Sequence, residues 1–214
     1  MQGVIFDLDG TLLDSMPLWR TAARNYLRDN YGIYADESLA DEVLKLTITE
    51  AAELVRTRYG LAADTAEVAA GVNGIMERGY FHTIAPMPGA EELLKALKAR
   101  GIPMAIATAT DRYLVEAALA RLGWTGYFCT VSTCTEAGAG KRESAAVYDV
   151  AMKSFGGSRK ECTVAEDSAH AARTALAAGY RVAGVGADPA LISACTVHIP
   201  SLVPVKRALE ALLG

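Results

Sequence analysis

Apolar residues fall along this chain in two rhythms. Short unbroken runs at Val4–Phe6, Met104–Ala107, Cys129–Val131, Thr163–Ala165 and Val182–Val185 have the length of buried strands. Between them lie amphipathic stretches with helical spacing, such as Asp111–Leu122 and the Ala-rich Ala169–Ala178, which Gly179 closes. Continuous apolar strands alternating with helices predict an α/β fold: a Rossmann-like parallel-sheet core with helices on both faces. From about Ser15 to Ala85 the strand signal almost vanishes. Met16–Tyr31, Glu37–Lys45, Thr49–Tyr59 and Thr65–His82 read there as helices, with breakers at Gly32 and Gly60. Leu18, Ala22, Ala23, Tyr26 and Leu27 recur at helical spacing, as one buried face requires. The chain leaves this stretch through Ala85-Pro86-Met87-Pro88-Gly89, a turn or hinge. The expected organisation is a core of residues 1–14 and 86–214 with a small all-helical domain, residues 15–85, inserted after the first strand.

Composition narrows the function classes. A chain of 214 residues that is 51% hydrophobic buries a substantial core. A net charge of −4 and a pI near 5.4 argue against a nucleic-acid footprint, and no basic cluster contradicts that. The first residues enter a strand directly, leaving no room for a signal peptide, and no apolar stretch is long enough to span a membrane, so the cytoplasm is the expected location. No protein partner is evident. Cys129, Cys134, Cys162 and Cys195 lack close CxxC spacing; Cys129 and Cys162, in predicted strands, read as buried reduced thiols.

The chemistry starts at Phe6-Asp7-Leu8-Asp9-Gly10-Thr11, where an apolar strand delivers two carboxylates into a glycine turn. Residues i and i+2 of a strand share a face, so Asp7 and Asp9 can aim at one point. Carboxylates crowded that way repel unless a cation separates them. A hard, oxygen-loving ion such as Mg2+ fits, and it would bring a phosphate with it. At Ile102–Thr110 a second apolar run ends in hydroxyl residues before a helix, where a Thr hydroxyl and free backbone N–H groups can bind phosphoryl oxygens. Thr108 and the backbone at Ala109 are the candidates, with Thr110 and Asp111 read as helix caps.

Asp-x-Asp-Gly-Thr after an N-terminal strand resembles the first motif of the haloacid dehalogenase superfamily, most of whose members hydrolyse phosphate esters. Three further segments resemble its remaining motifs in order: Ile102–Thr110, Ala137–Ser144 with Lys141, and Cys162–Ser168 with Glu166 and Asp167. The resemblance covers nearly the whole chain and implies roles. Asp7 becomes the nucleophile that forms an aspartyl-phosphate and Asp9 the general acid and base. Thr108 and Lys141 hold the phosphoryl group. Asp7, Asp9 and Asp167 bind Mg2+, and Glu166 binds it directly, through water, or only orients the site. Two departures stand out: Arg142 and Ser144 follow Lys141 where many relatives carry prolines, leaving Arg142 as an alternative cation, and Ala171 replaces a common glycine. Ser168 is an N-cap or a functional group, and the family pattern assigns nothing to His170.

In related subfamilies the insertion is a helical cap that closes over the active site and selects the substrate. Candidate substrate contacts are Trp19, Arg20, Arg24, Lys45, Thr47 and Thr49, although a residue such as Trp19 is more often core and residues such as Arg20, Arg24 and Lys45 are more often on solvated helix faces. The expected activity is hydrolysis of a small phosphorylated metabolite. A phosphomutase of the β-phosphoglucomutase type is the alternative, which Thr11 weighs slightly against. A non-catalytic binding protein, or a phosphonoacetaldehyde hydrolase using Lys45 as a Schiff base, ranks lower.

Overall fold

The computed structural model describes residues 3–44 and 46–214. Lys45, a candidate contact above, lies outside the described residues. In chain order the structure runs β1 (Gly3–Phe6), α1 (Met16–Tyr31), α2 (Ser38–Val43), α3 (Ile48–Tyr59), α4 (Thr65–Arg78), α5 (Ala90–Ala99), β2 (Met104–Thr108), α6 (Arg112–Leu122) and β3 (Val131–Thr133). It continues through α7 (Cys134–Ala137), α8 (Ala146–Lys153), β4 (Cys162–Glu166), α9 (Ala169–Ala177), β5 (Arg181–Val185), α10 (Pro189–Ile192), β6 (Val197–Ile199) and α11 (Val205–Leu213).

The strands form one parallel sheet in the order β3-β2-β1-β4-β5-β6. This is the predicted α/β, Rossmann-like architecture. β1, β2 and β4 are buried along their whole length, which is why they read as continuous apolar runs rather than alternating ones. Ile5, Ala105, Ala107, Val164 and Val182 pack with Tyr148 and Ala151 of α8 and with Ala172 and Ala175 of α9. The small side chains of α9 let its backbone approach the sheet. Thr163 Oγ1 donates to the Leu212 carbonyl at 2.9 Å and ties α11 to β4.

Two strand expectations change. The third strand begins at Val131 rather than Cys129, and Cys129 is exposed, not buried. β3 is an edge strand reached through a 3-10 turn at Thr125–Tyr127. The Cys129 N–H still meets the Met104 carbonyl at 2.7 Å, but at the sheet's margin its side chain stays open. β6 gives no strand signal in the sequence, because its three residues hold only two apolar side chains, separated by His198.

The chain divides into two compact units: Ala85–Gly214 with the described residues up to Asp14, and Ser15–Ile84. The second unit is helical. Thr47 with Glu50 and Asp64 with Glu67 form capping boxes that start α3 and α4. The predicted helix to His82 stops at Arg78 and continues as a π-turn over Gly79–Thr83, where a Cβ on Gly79 would lie 2.2 Å from the Leu18 side chain. Gly71 of α4 lies against the Tyr26 ring, where a Cβ would meet it at 2.1 Å. No helix among the described residues is long and apolar enough to cross a membrane.

Candidate active site

Sheet order places the ends of β2, β1 and β4 side by side, and the polar residues that follow these strands converge there. Beyond β1 the Asp7 N–H donates to the Ala165 carbonyl at 2.9 Å, so the nucleophile candidate still belongs to the ladder. A tight turn follows. Gly10 adopts φ 85°, a conformation that a Cβ disfavours, and donates to the Leu13 carbonyl at 2.8 Å. The N–H groups of Leu12 and Leu13 both donate to the Leu8 carbonyl, and the side chains of Leu8, Leu12 and Leu13 are fully buried. Apolar anchors on both sides thus fix the carboxylates of Asp7 and Asp9.

Lys141 comes from the loop between α7 and α8. Its ammonium bonds the Asp7 carboxylate and, at 2.6 Å, Glu166 Oε1. The same Glu166 oxygen accepts from the Tyr148 hydroxyl at 2.7 Å, and Lys141 Nζ lies 5.5 Å from the Tyr148 ring centroid. Lys141, not Arg142, therefore enters the cluster; Arg142 is exposed. Tyr148 had no signal as a site residue in the sequence. Its seven-residue offset from Lys141 marks only a core position of α8.

Thr108 ends β2 fully buried, and its Oγ1 accepts from the Thr110 N–H at 3.0 Å. The Thr110 hydroxyl donates to Asp9 Oδ2 at 2.6 Å. This corrects the reading of Thr110 as a helix cap. Asp111 is the N-cap of α6, without a side-chain capping bond, and accepts from Thr135 Oγ1 at 3.2 Å. Ala109 sits exposed between the two threonines. Ser168 occupies the N-cap of α9 without a capping bond, and His170 is exposed.

Asp7, Glu166 and Asp167 each offer a carboxylate oxygen, all within 4.8 Å of one another. The Asp9 side chain is not part of this trio. Burial holds Asp7 well above the usual carboxylate range; Lys141 offsets part of that, and Glu166, Asp167 and Asp9 add to it. Burial, followed by the Glu166 charge, pushes Asp167 up to about 7. Burial disfavours the Lys141 charge, but the Asp7 and Glu166 carboxylates outweigh it and keep the amine a cation. One lysine does not neutralise this many carboxylates. An all-oxygen donor set with excess negative charge has the chemistry of a hard divalent cation site.

Residues 4–185 match the family of haloacid dehalogenase-like hydrolases. The chain belongs to that family. It is 33% identical over 191 residues to hexitol phosphatase A of Escherichia coli, covering 87% of this chain and 83% of that protein. A Thermotoga maritima structure provisionally described as a β-phosphoglucomutase superposes with a TM-score of 0.83 at 23% identity, covering 98% of this chain and 100% of that one. The Bacillus subtilis protein YfnB, in a structure bound to magnesium, superposes with a TM-score of 0.79 at 19% identity over 98% of both chains. At such identities these two likenesses establish the fold. Membership of the hydrolase family makes the chain an enzyme.

Among the described candidate substrate contacts of the helical unit, Trp19, Arg20 and Arg24 have partners within that unit. Trp19 Nε1 donates to the Tyr80 hydroxyl at 3.0 Å, Arg20 pairs with Asp41 at 3.2 Å, and Arg24 donates to the Ala35 carbonyl at 3.2 Å. Thr47 serves as a cap, and Thr49 is exposed.

Proposed function

We propose that the protein is a magnesium-dependent phosphatase acting on a small phosphomonoester, with a sugar or polyol phosphate as the substrate class. The observation that carries the reading is the Lys141 ammonium joining the buried carboxylates of Asp7 and Glu166, with the half-buried Asp167 completing an oxygen trio. The 33% identity to hexitol phosphatase A supports the substrate class. Residues 1–14 and 86–214 form the proposed catalytic core, and residues 15–85 the proposed substrate-selecting cap.

Asp7 and Asp167, with the Asp9 backbone carbonyl, are the proposed metal ligands; the ion would offset the carboxylate charge and that of the phosphoryl group. Glu166, engaged by Lys141 and Tyr148, holds the lysine in place. An Asp7 oxygen attacks phosphorus in line, and the bond from phosphorus to the ester oxygen breaks. Protonated Asp9 donates to the leaving alkoxide, which departs as the alcohol. Thr108, the Ala109 N–H and Lys141 hold the equatorial oxygens through the transfer. Water then attacks the aspartyl-phosphate and gives its proton to Asp9. The Asp7–phosphorus linkage breaks, releasing inorganic phosphate and restoring both carboxylates to their starting states.

The test is phosphate release from polyol and sugar phosphates, with magnesium or with chelator, together with Asp7→Ala. Release that needs magnesium and falls to background in Asp7→Ala is expected. Isomerisation of β-glucose 1-phosphate to glucose 6-phosphate without net phosphate release would replace hydrolysis by a mutase reaction.

A further inference from the structure

We propose that Thr110 is a positioning residue for Asp9, acting on its proton transfers rather than on the phosphate. The inference rests on the phosphatase reading above. Thr110 is 6% exposed, its hydroxyl donates to Asp9 Oδ2 at 2.6 Å, and its amide donates to Thr108 Oγ1 at 3.0 Å. The N-cap of α6 is Asp111, one residue further on, so Thr110 is not the capping residue of that helix. Thr110 and Asp9 stand 101 residues apart in the chain but just beyond adjacent, paired strands, so the sheet itself carries the geometry.

A hydroxyl both donates and accepts. Thr110 donates to Asp9 when the carboxylate is ionised, and by rotating its proton away it accepts from Asp9 when the acid is protonated. It therefore holds the same carboxyl in both states that the two half-reactions need. Aspartate swings about its side-chain bonds, and a catalytic group misplaced by about 1 Å loses roughly 100-fold in rate. The consequence depends on the leaving group. An alkoxide needs the proton from Asp9, whereas p-nitrophenolate leaves without it.

The experiment compares wild type, Thr110→Val and Thr110→Ser on an alkyl ester, glycerol 3-phosphate or a hexitol phosphate, and on p-nitrophenyl phosphate, all with magnesium. For Thr110→Val, kcat on the alkyl ester should fall by about 10- to 100-fold with KM unchanged within about twofold, the pattern of an interaction made in the transition state. The pre-steady-state burst of p-nitrophenol should stay near the wild-type rate, since forming the aspartyl-phosphate from this ester needs no acid. Thr110→Ser should restore alkyl turnover to within about threefold of wild type. In an Asp9→Asn background, Thr110→Val should cost p-nitrophenyl phosphate turnover nothing further, as coupled residues behave. Equal losses in alkyl turnover and aryl burst, or an added loss in the Asp9→Asn background, would overturn the proposal. Should Thr110→Val not fold, Thr110→Ala carries the same comparison. If wild type releases phosphate from none of these esters, the phosphatase reading fails and this proposal with it, a result seen before any Thr110 variant is made.

Discussion

Lys141 is the residue on which the candidate site turns, since it is the cation that the structure sets between two buried carboxylates. Removing it strands Asp7 and Glu166 without their partner, and breaking a buried ion pair from one side costs about 3–5 kcal/mol. Part of that cost is relieved as Asp7, already inclined to hold a proton, takes one up. Lys141→Met is therefore expected to lower stability in urea at pH 7.5 by a few kcal/mol in chelator. It should also cut kcat by about 100-fold or more, because a fixed charge aimed at the transferring group is lost. Arg142→Ala, altering an exposed side chain, should leave both within about 0.5 kcal/mol of wild type. The reverse ranking would remove Lys141 from the site. Tyr148→Phe keeps the ring over the lysine and deletes only the hydroxyl that fixes Glu166. A loss of about 1–2 kcal/mol in stability is expected for it, the cost of one buried charge-assisted hydrogen bond.

At the scale of elements, the helical unit tests whether local signals hold the helices. The Thr47 and Glu50 box satisfies donors at the start of α3 on a solvent-exposed surface, so Thr47→Ala should cost about 1 kcal/mol by denaturant unfolding. Gly71 behaves differently. Its α4 backbone approaches the Tyr26 ring so closely that Gly71→Ala, which helix propensity alone favours by about 1 kcal/mol, is expected to destabilise by about 1–3 kcal/mol instead. A stabilised Gly71→Ala would mean that the two helices separate easily at that point. Most elements were legible from periodicity: β1 matches its predicted run, and α1, α3 and α9 lie within a residue or so of the expected spans. The failures have specific causes. Cys129 reads as strand by its neighbours but sits at a sheet margin, and β6 is too short and too polar at His198 to stand out. α4 ends early at Gly79, which packs on Leu18, and the chain widens there into a π-turn.

For the whole molecule, the carboxylate cluster links proton binding, metal binding and stability. An unfolded aspartate titrates near 3.9, whereas in the folded chain Asp167 is pushed up to about 7 and Asp7 is raised too. Between about pH 4 and pH 7 the folded state thus keeps protons that the unfolded state has released. The stability these groups contribute is full below the unfolded value and is lost as pH rises through the folded one. Surface carboxylates with lowered values, such as Glu53 at about 2, contribute the opposite slope only near and below their unfolded value; above about pH 5 they are ionised in both states and do not mask the trend. Thermal unfolding in chelator should show Tm falling by several degrees from pH 5 to pH 8. Magnesium should raise Tm most at pH 8 and flatten the profile, since a ligand that binds only the folded state stabilises it by mass action. A Tm indifferent to both pH and magnesium would sink the cation site.

The sequence by itself determined the class of each main element, the α/β alternation, the helical insertion and which polar residues stand at strand ends, because these follow from local periodicity and from turn residues such as Gly10. Tertiary structure decided which polar atoms meet. Lys141 reaches Asp7 across 134 residues, Thr110 reaches Asp9 rather than its own helix end, and Tyr148 rises from a core face of α8 to bond Glu166. Such pairings depend on the order of strands in the sheet and on the rotation of each helix against it. Neither quantity is carried by the spacing of residues along one segment; both are set by how separate segments share a single core.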